Sequence, residues 1–237
     1  MTTIRHSAIS HVGKVRRVNE DSILSLPDQK IWVVSDGMGG HEAGDFASQT
    51  VVEAIAAIPG DQPPADMMRG LRAAVMHAHE TIRAETARRG AKVVGATVVA
   101  LMLTDGHFVA FWAGDSRLYR FREGGIEMLT TDHSTVAALV AAGGMTWDEA
   151  EHHPQSNAIT RAVGVGEVLD LDKVRGEVRP GDRYLICSDG LTKYAGFETL
   201  RRIATTTPIE TVCERLLQLA LDGGGADNIS LIVVDVI

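Results

Sequence analysis

Strand-like and helix-like segments come in blocks along this chain, and that order constrains its fold more than any other feature. Runs at 4–10, 22–26 and 30–35 are short and rich in Ile, Leu, Val and Ser, as strands are. Two amphipathic segments follow. Over 42–58 the residues Phe46, Ala47, Val51, Ala54, Ile55 and Ile58 recur at helical spacing. After the break at Pro63 and Pro64, Met68, Leu71, Val75, Ala78 and Ile82 do the same over 65–89. Strands are then expected at 96–103, 108–112 and 118–121, with turns at 104–106 and 123–125. Strands at 170–178 and 183–188, helices at 197–205 and 208–221 and a strand at 229–236 complete the chain. A doubly wound parallel sheet needs regular strand–helix alternation, which this order lacks. Segregated blocks predict an α+β fold, two antiparallel sheets packed together with helices outside.

No low-complexity linker, internal repeat or compositional shift divides the 237 residues, so one domain spanning 1–237 is expected. Residues 132–165 stand apart as a flap. They are rich in Gly, His and polar side chains, with short helices expected at 134–142 and from Thr146, whose spacing to Glu149 suits a capping box.

A net charge of −8 argues against general binding to nucleic acid or to anionic membranes, which calls for a basic surface. Cys187 and Cys213 lie in apolar segments away from any metal-type spacing, and read as buried free thiols in a reducing compartment. The first residues lack the apolar stretch of a signal peptide, and the longest nearly apolar run, 93–103, is too short to span a bilayer. A soluble, cytoplasmic protein is expected.

Apolar strands repeatedly run into, or out of, an aspartate beside Gly or Asn. Val33-Val34-Ser35 leads to Asp36-Gly37, Phe111-Trp112-Ala113-Gly114 to Asp115, and Leu185-Ile186-Cys187-Ser188 to Asp189-Gly190, while Asp227-Asn228 precedes the last strand. Glu20-Asp21 adds acid just before 22–26. Any single Asp-Gly reads equally as a turn, as Asp105-Gly106 and Asp222-Gly223 do. The set implies more, because like charges at the rim of a core repel and lose solvation unless a cation sits among them. Oxygen-only donors favour Mg²⁺ or Mn²⁺ over Zn²⁺. Two such ions sharing a carboxylate would lie ~3.5–4 Å apart and acidify a water between them.

These segments resemble the bacterial form of the PPM, or protein phosphatase 2C-like, metal-dependent serine/threonine phosphatases. The likeness rests on G-x-V-R-x-x-N-E-D at 13–21, S-D-G-M-G-G at 35–40, G-A-T at 95–97, G-D-S-R at 114–117, C-S-D-G-L at 187–191 and G-A-D-N-I-S at 225–230. Each string is weak, but six in order along nearly the whole chain are specific. The resemblance implies a four-layer α-β-β-α sandwich with two metal ions at one edge of the paired sheets. By analogy Asp36 bridges the ions, the carbonyl of Gly37 completes one of them, and Asp189 and Asp227 hold the first. Glu20 and Asp21 act around the second through water, and Asp115 with Asp189 takes a third, weaker ion. Arg16 grips the substrate phosphate, a role its planar fork suits better than a lysine would. Gly37 is expected to lack a side chain because one would crowd the ions.

The chain departs from the eukaryotic pattern at Met38, where that pattern has a histidine proposed as general acid. Methionine donates no proton, so another donor must protonate the leaving oxygen. His41 and His133 flank the motifs but read as ordinary capping or surface residues, and the three tryptophans as core. The implied activity is hydrolysis of phosphoserine and phosphothreonine on proteins by metal-activated water, opposing a bacterial Ser/Thr kinase and carried out by a monomer. A catalytically silent binding module is the competing reading, set against by retention of every acidic position. A nuclease would need basic stripes, and kinase chemistry a phosphate loop that this sequence lacks.

Overall fold

A tetrapeptide buried on both faces explains the strength of the first sheet. Ile31, Trp32, Val33 and Val34 are all 0% exposed. Because side chains alternate along a strand, two of them point each way, and both sides must be covered. Trp32 and Val34 join Val99, Leu101, Leu118, Tyr184, Ile186 and Ile232 between two sheets. Ile31 and Val33 instead pack outward against Val51, Ile55, Leu71, Val75 and Ile82 of two helices. Each such side chain is worth roughly 1.5–3 kcal/mol when fully buried, so the strand carrying Asp36 is held firmly from both sides.

The computed structural model describes residues 3–39, 42–90, 93–150, 153–156 and 158–237. One sheet contains β2 (Asp21–Leu26), β3 (Ile31–Met38), β5 (Val98–Thr104), β6 (His107–Ala113) and β9 (Asp172–Glu177) in that order, with β4 (Gly95–Ala96) paired to the end of β3. The other runs β1 (Ile4–His11), β11 (Ile229–Val236), β10 (Arg183–Cys187), β7 (Arg117–Arg122), β8 (Gly125–Met128). Every pairing between these strands is antiparallel. Helices α1 (Glu42–Ala56) and α2 (Pro64–Arg89) cover the first sheet, and α6 (Phe197–Thr206) and α7 (Ile209–Asp222) cover the second. Three apolar layers thus separate four layers of structure, the α-β-β-α sandwich that the sequence predicts.

Several expectations change. Asp36-Gly37 is not a turn: β3 continues through Gly37 and Met38, opposite Ala96 and Gly95. The strand expected at 96–103 is broken at Thr97, whose hydroxyl turns to the end of β3. β8 and the single helical turn α5 (Asp189–Thr192) are additions to the sequence reading. In the 132–165 region, α3 (Thr135–Ala141) and α4 (Trp147–Ala150) form as expected. The capping box is present, with Thr146 N donating to Glu149 Oε2 at 2.7 Å and Glu149 N to Thr146 Oγ1 at 3.2 Å. Trp147 is not core. It is partly exposed and lies over the Arg117 guanidinium, 5.0 Å from the ring centre. Among the described residues no helix is long and apolar enough to cross a membrane.

Candidate metal centre

Ends of strands from both sheets meet at one rim, and they bring the acidic residues with them. Asp36 near the end of β3 lies directly opposite Asp21, the first residue of β2. Asp189 opens α5 immediately after β10, Asp115 sits in the β6–β7 connection, and Asp227 precedes β11. Together with Arg16, Glu20, Gly37 and Met38, four of these aspartates (36, 115, 189 and 227) line a cleft of about 260 Å³. Asp21 is the exception among the expected site residues. It lies beneath the cleft at 6% exposure and accepts a 2.8 Å hydrogen bond from Ser188 Oγ.

Neutral residues hold the carboxylates in place. Thr97 binds the backbone of Asp36 twice: Asp36 N donates to Thr97 Oγ1 at 2.9 Å, and Thr97 N donates to Asp36 O at 2.8 Å. Ser116 Oγ meets the same threonine hydroxyl at 2.7 Å. Gly114, at φ +113°, lets the chain pass so close that a Cβ there would come 2.6 Å from Thr97 Cγ2. Asn228 fixes the Arg16 loop to β11. Its Oδ1 accepts from Glu20 N at 2.8 Å, and its Nδ2 donates to Val12 O and Val18 O. Gly37 is required by the backbone around it. A Cβ there would collide with the Gly44 carbonyl of α1 and lie 2.6 Å from Glu20 O, so backbone packing forbids it. Thr97, Ser116, Ser188 and Asn228 all fall inside the recognised motif strings, yet nothing in their chemistry marks them out before the topology is known.

The electrostatics are those of an acid-rich rim. Asp36 keeps an edge on the cleft, yet burial of its carboxyl, then Asp21, Asp189, Asp115 and Asp227, drive its pKa well above the usual range. Burial and Asp189 do the same to Asp115. Asp21 is pushed up to about 7 by burial and by Asp189 and Asp227, against hydrogen bonds from Ser230 and Ser188 that pull it down. Asp227 moves the other way. Burial would raise it, but Lys193 and Arg16 hold it below the ordinary carboxylate value. Lys193 Nζ lies 2.7 Å from Asp189 Oδ2 and 3.1 Å from Asp227 Oδ2, and Arg16 Nε lies 2.9 Å from Asp227 Oδ1.

This donor set fits a hard divalent cation. Asp21 Oδ1 and Asp189 Oδ1 are buried carboxyl oxygens that accept no hydrogen bond among the described residues, a costly arrangement that a cation would relieve. As the side chains stand, no group of three or more His, Cys, Asp or Glu among the described residues is drawn together enough to hold an ion. Side-chain adjustment around Asp189 and Asp227 would therefore accompany binding. His41 lies outside the described residues. His133 is structural: its Nδ1 accepts from Gly114 N at 3.1 Å, its Nε2 meets Asp172 Oδ2 at 3.1 Å, and its ring stacks on Trp112.

A two-sheet sandwich with helices outside thus gathers carboxylates from separate segments at one rim. The chain belongs to the protein phosphatase 2C family, whose model matches residues 11–224. It is 37% identical over 235 residues to the serine/threonine protein phosphatase PstP of Mycobacterium tuberculosis strain H37Rv, covering 99% of this chain and 45% of PstP. The chain thus spans about half the length of that relative. It is 32% identical over 239 residues to the protein phosphatase PhpP of Streptococcus pneumoniae strain D39, covering 96% of each. Among solved structures, PppA of Pseudomonas aeruginosa, described as a key regulatory component of T6SS, superposes with a TM-score of 0.91 at 40% identity over 99% of this chain and 98% of that one. The catalytic domain of PstP in complex with two manganese ions superposes at 0.90, with 35% identity over all of both chains.

Proposed function

We propose that this chain hydrolyses phosphoserine and phosphothreonine on proteins, using a divalent-metal centre built on Asp36, Gly37, Asp189 and Asp227. The observation that supports it most is the convergence of Asp36, Asp115, Asp189 and Asp227, from separate segments of both sheets, on one cleft with Arg16 at its edge. On this reading Asp36, the Gly37 carbonyl, Asp189 and Asp227 would hold the ions, and Glu20 and Asp21 would order water around them. Asp115 with Asp189 would hold a third. Bound there, Mn²⁺ or Mg²⁺ would acidify a water and neutralise phosphoryl oxygens.

The remaining tasks fall to side chains. Arg16 presents its fork to the phosphate dianion and so orients it for in-line attack. Asn228, through its hold on Val12 and Val18, keeps the Arg16 loop at the rim. Met38 has no proton to give, and His133 is engaged with Gly114 and Asp172, so the leaving serine or threonine oxygen takes its proton from water in the cleft. One domain serves this reaction, and the 132–165 flap favours protein substrates, including a Ser/Thr kinase that the enzyme opposes.

The test is turnover of p-nitrophenyl phosphate and of a phosphothreonine peptide in Mn²⁺. Activity should vanish in excess EDTA, and Asp36→Ala should lose at least about a hundredfold. Undiminished turnover in either condition would overturn the reading. Mn²⁺ binding without any turnover would favour the silent binding module instead.

A further inference from the structure

The lysine at the end of α5 is not part of the motifs that define the centre, yet among the described residues it makes closer contact with the expected ligands than any other cation. Asp189 begins the helical turn and Lys193 follows it by four residues, so the turn itself folds the ammonium back onto the carboxylate. Its Nζ reaches Asp189 Oδ2 at 2.7 Å and Asp227 Oδ2 at 3.1 Å, with the side chain 20% exposed. Asp189 and Asp227 arrive from different strands, and Lys193 is what ties them together. The other oxygen of Asp189 accepts no hydrogen bond among the described residues.

We propose that Lys193 is an internal counter-cation of the centre, competing with a divalent ion for Asp189 and Asp227 and so setting how tightly that ion is held. This rests on the reading of those two carboxylates as ligands of the first ion. An ammonium is a compact point charge, and it holds one oxygen of each carboxylate that an ion would need. An ammonium and a divalent ion on the same two carboxylates repel each other, so binding favours release of the ammonium. The flexible stem and the open cleft let Lys193 swing to solvent while its methylenes stay packed. Arg16 also touches Asp227, but its planar fork has a phosphate to move to. Lys193 has the carboxylates themselves as its partners, and its contacts make metal-free protein more stable and metal binding weaker.

The experiment is calorimetric titration of Mn²⁺ into the wild-type chain, Lys193→Met, Lys193→Arg and Arg17→Met, with melting curves of each in EDTA and in saturating Mn²⁺. Arg17→Met removes one positive charge from the neighbouring exposed loop and controls for long-range electrostatics. Lys193→Met should bind the first Mn²⁺ about tenfold more tightly, Lys193→Arg should not, and Arg17→Met should change affinity by less than about twofold. In EDTA the Lys193→Met protein should melt below wild type, and in saturating Mn²⁺ the gap should close or reverse. If Lys193→Met folds poorly, Lys193→Gln, which keeps a polar stem without the charge, makes the same comparison. Equal affinity in wild type and the uncharged variant, or a change matched by Arg17→Met, would overturn the proposal while leaving the metal centre intact. A wild-type chain that takes up no Mn²⁺ would overturn both.

Discussion

The two ends of β10 and β11 carry the same kind of buried charge and treat it in opposite ways. At one end Asp182 is clasped by Arg122, at 2.6 and 2.7 Å, and Asp235 by Arg183, at 2.5 and 2.7 Å. A cavity of about 630 Å³ opens there, larger than the acidic cleft, but these carboxylates already have their guanidinium partners. At the other end Glu20, Asp21, Asp36, Asp115, Asp189 and Asp227 face only Arg16 and Lys193 among the cations that line the cleft in the described residues. Charge balance, rather than cavity size, distinguishes the two rims. The matched end is finished; the acidic end calls for a further cation.

Deleting one carboxylate at each rim should separate these roles. Asp182→Ala strands Arg122 and removes acceptors for Arg179 N and the Tyr184 hydroxyl. Breaking this hydrogen-bonded pair, whose arginine keeps a solvent edge, should cost about 3 kcal/mol, the low end for a buried pair, which chemical denaturation would read directly, while the Mn²⁺ requirement of any residual activity should persist. Asp36→Ala should do the reverse. It abolishes turnover, yet its melting point in EDTA should equal or exceed wild type, because it removes a carboxyl that burial and acidic neighbours disfavour as an anion. If Asp36→Ala is as destabilised in EDTA as Asp182→Ala, the contrast between the rims is wrong.

Metal removal gives the next largest effect. At a hundredfold excess over its Kd, a bound ion stabilises the folded state by about 2.7 kcal/mol. Melting of the wild type should therefore shift upward with Mn²⁺ concentration. Asp182→Ala should show the same shift from a lower start, and Asp227→Ala a much smaller one. An equal shift in Asp227→Ala would remove that residue from the centre.

How far all this is legible in the sequence depends on whether a feature is local. Asp36 stands out because a run of four apolar residues leads to it, and the helix and strand periods of 42–58, 65–89 and 229–236 survive almost unaltered in the fold. β8 escapes because an edge strand of four residues, Gly-Ile-Glu-Met, buries too little to show a pattern. Gly37 shows the limit most clearly. The sequence identifies it as special, but only the packing of β3 against Gly44 and Glu20 says why. Lys193 is invisible for the same reason: its importance lies in joining Asp189 to Asp227, and chain spacing cannot place those two side by side. The resemblance to a family transfers motif residues, so it is silent on a lysine outside the motifs.

The smallest effect, pH, gives the comparison its sharpest form because the two rims should respond with opposite signs. Asp182 is held below the usual carboxylate value: burial pulls it up, but Arg122 and the Arg179 amide more than offset that. Its stabilisation is complete above the unfolded carboxylate pKa and is lost as pH falls through that value and below. Asp21 sits at about 7, raised chiefly by burial, and Asp36 and Asp115 are also raised. Between the unfolded value and about 7, the folded protein holds protons that the unfolded chain has released, so stability declines as pH rises through this window. The slope is at most about 1.4 kcal/mol per pH unit for each proton involved. In EDTA, melting temperature should accordingly climb from pH 8 toward pH 5 and fall again below about pH 4. Asp182→Asn should flatten the acid limb alone, and Asp21→Asn the neutral limb. Saturating Mn²⁺ should reverse the neutral limb, since ions and protons compete for the same oxygens and metal stabilisation weakens as pH drops. A neutral limb unchanged by Mn²⁺ would mean that the raised carboxyls and the metal ligands are different groups.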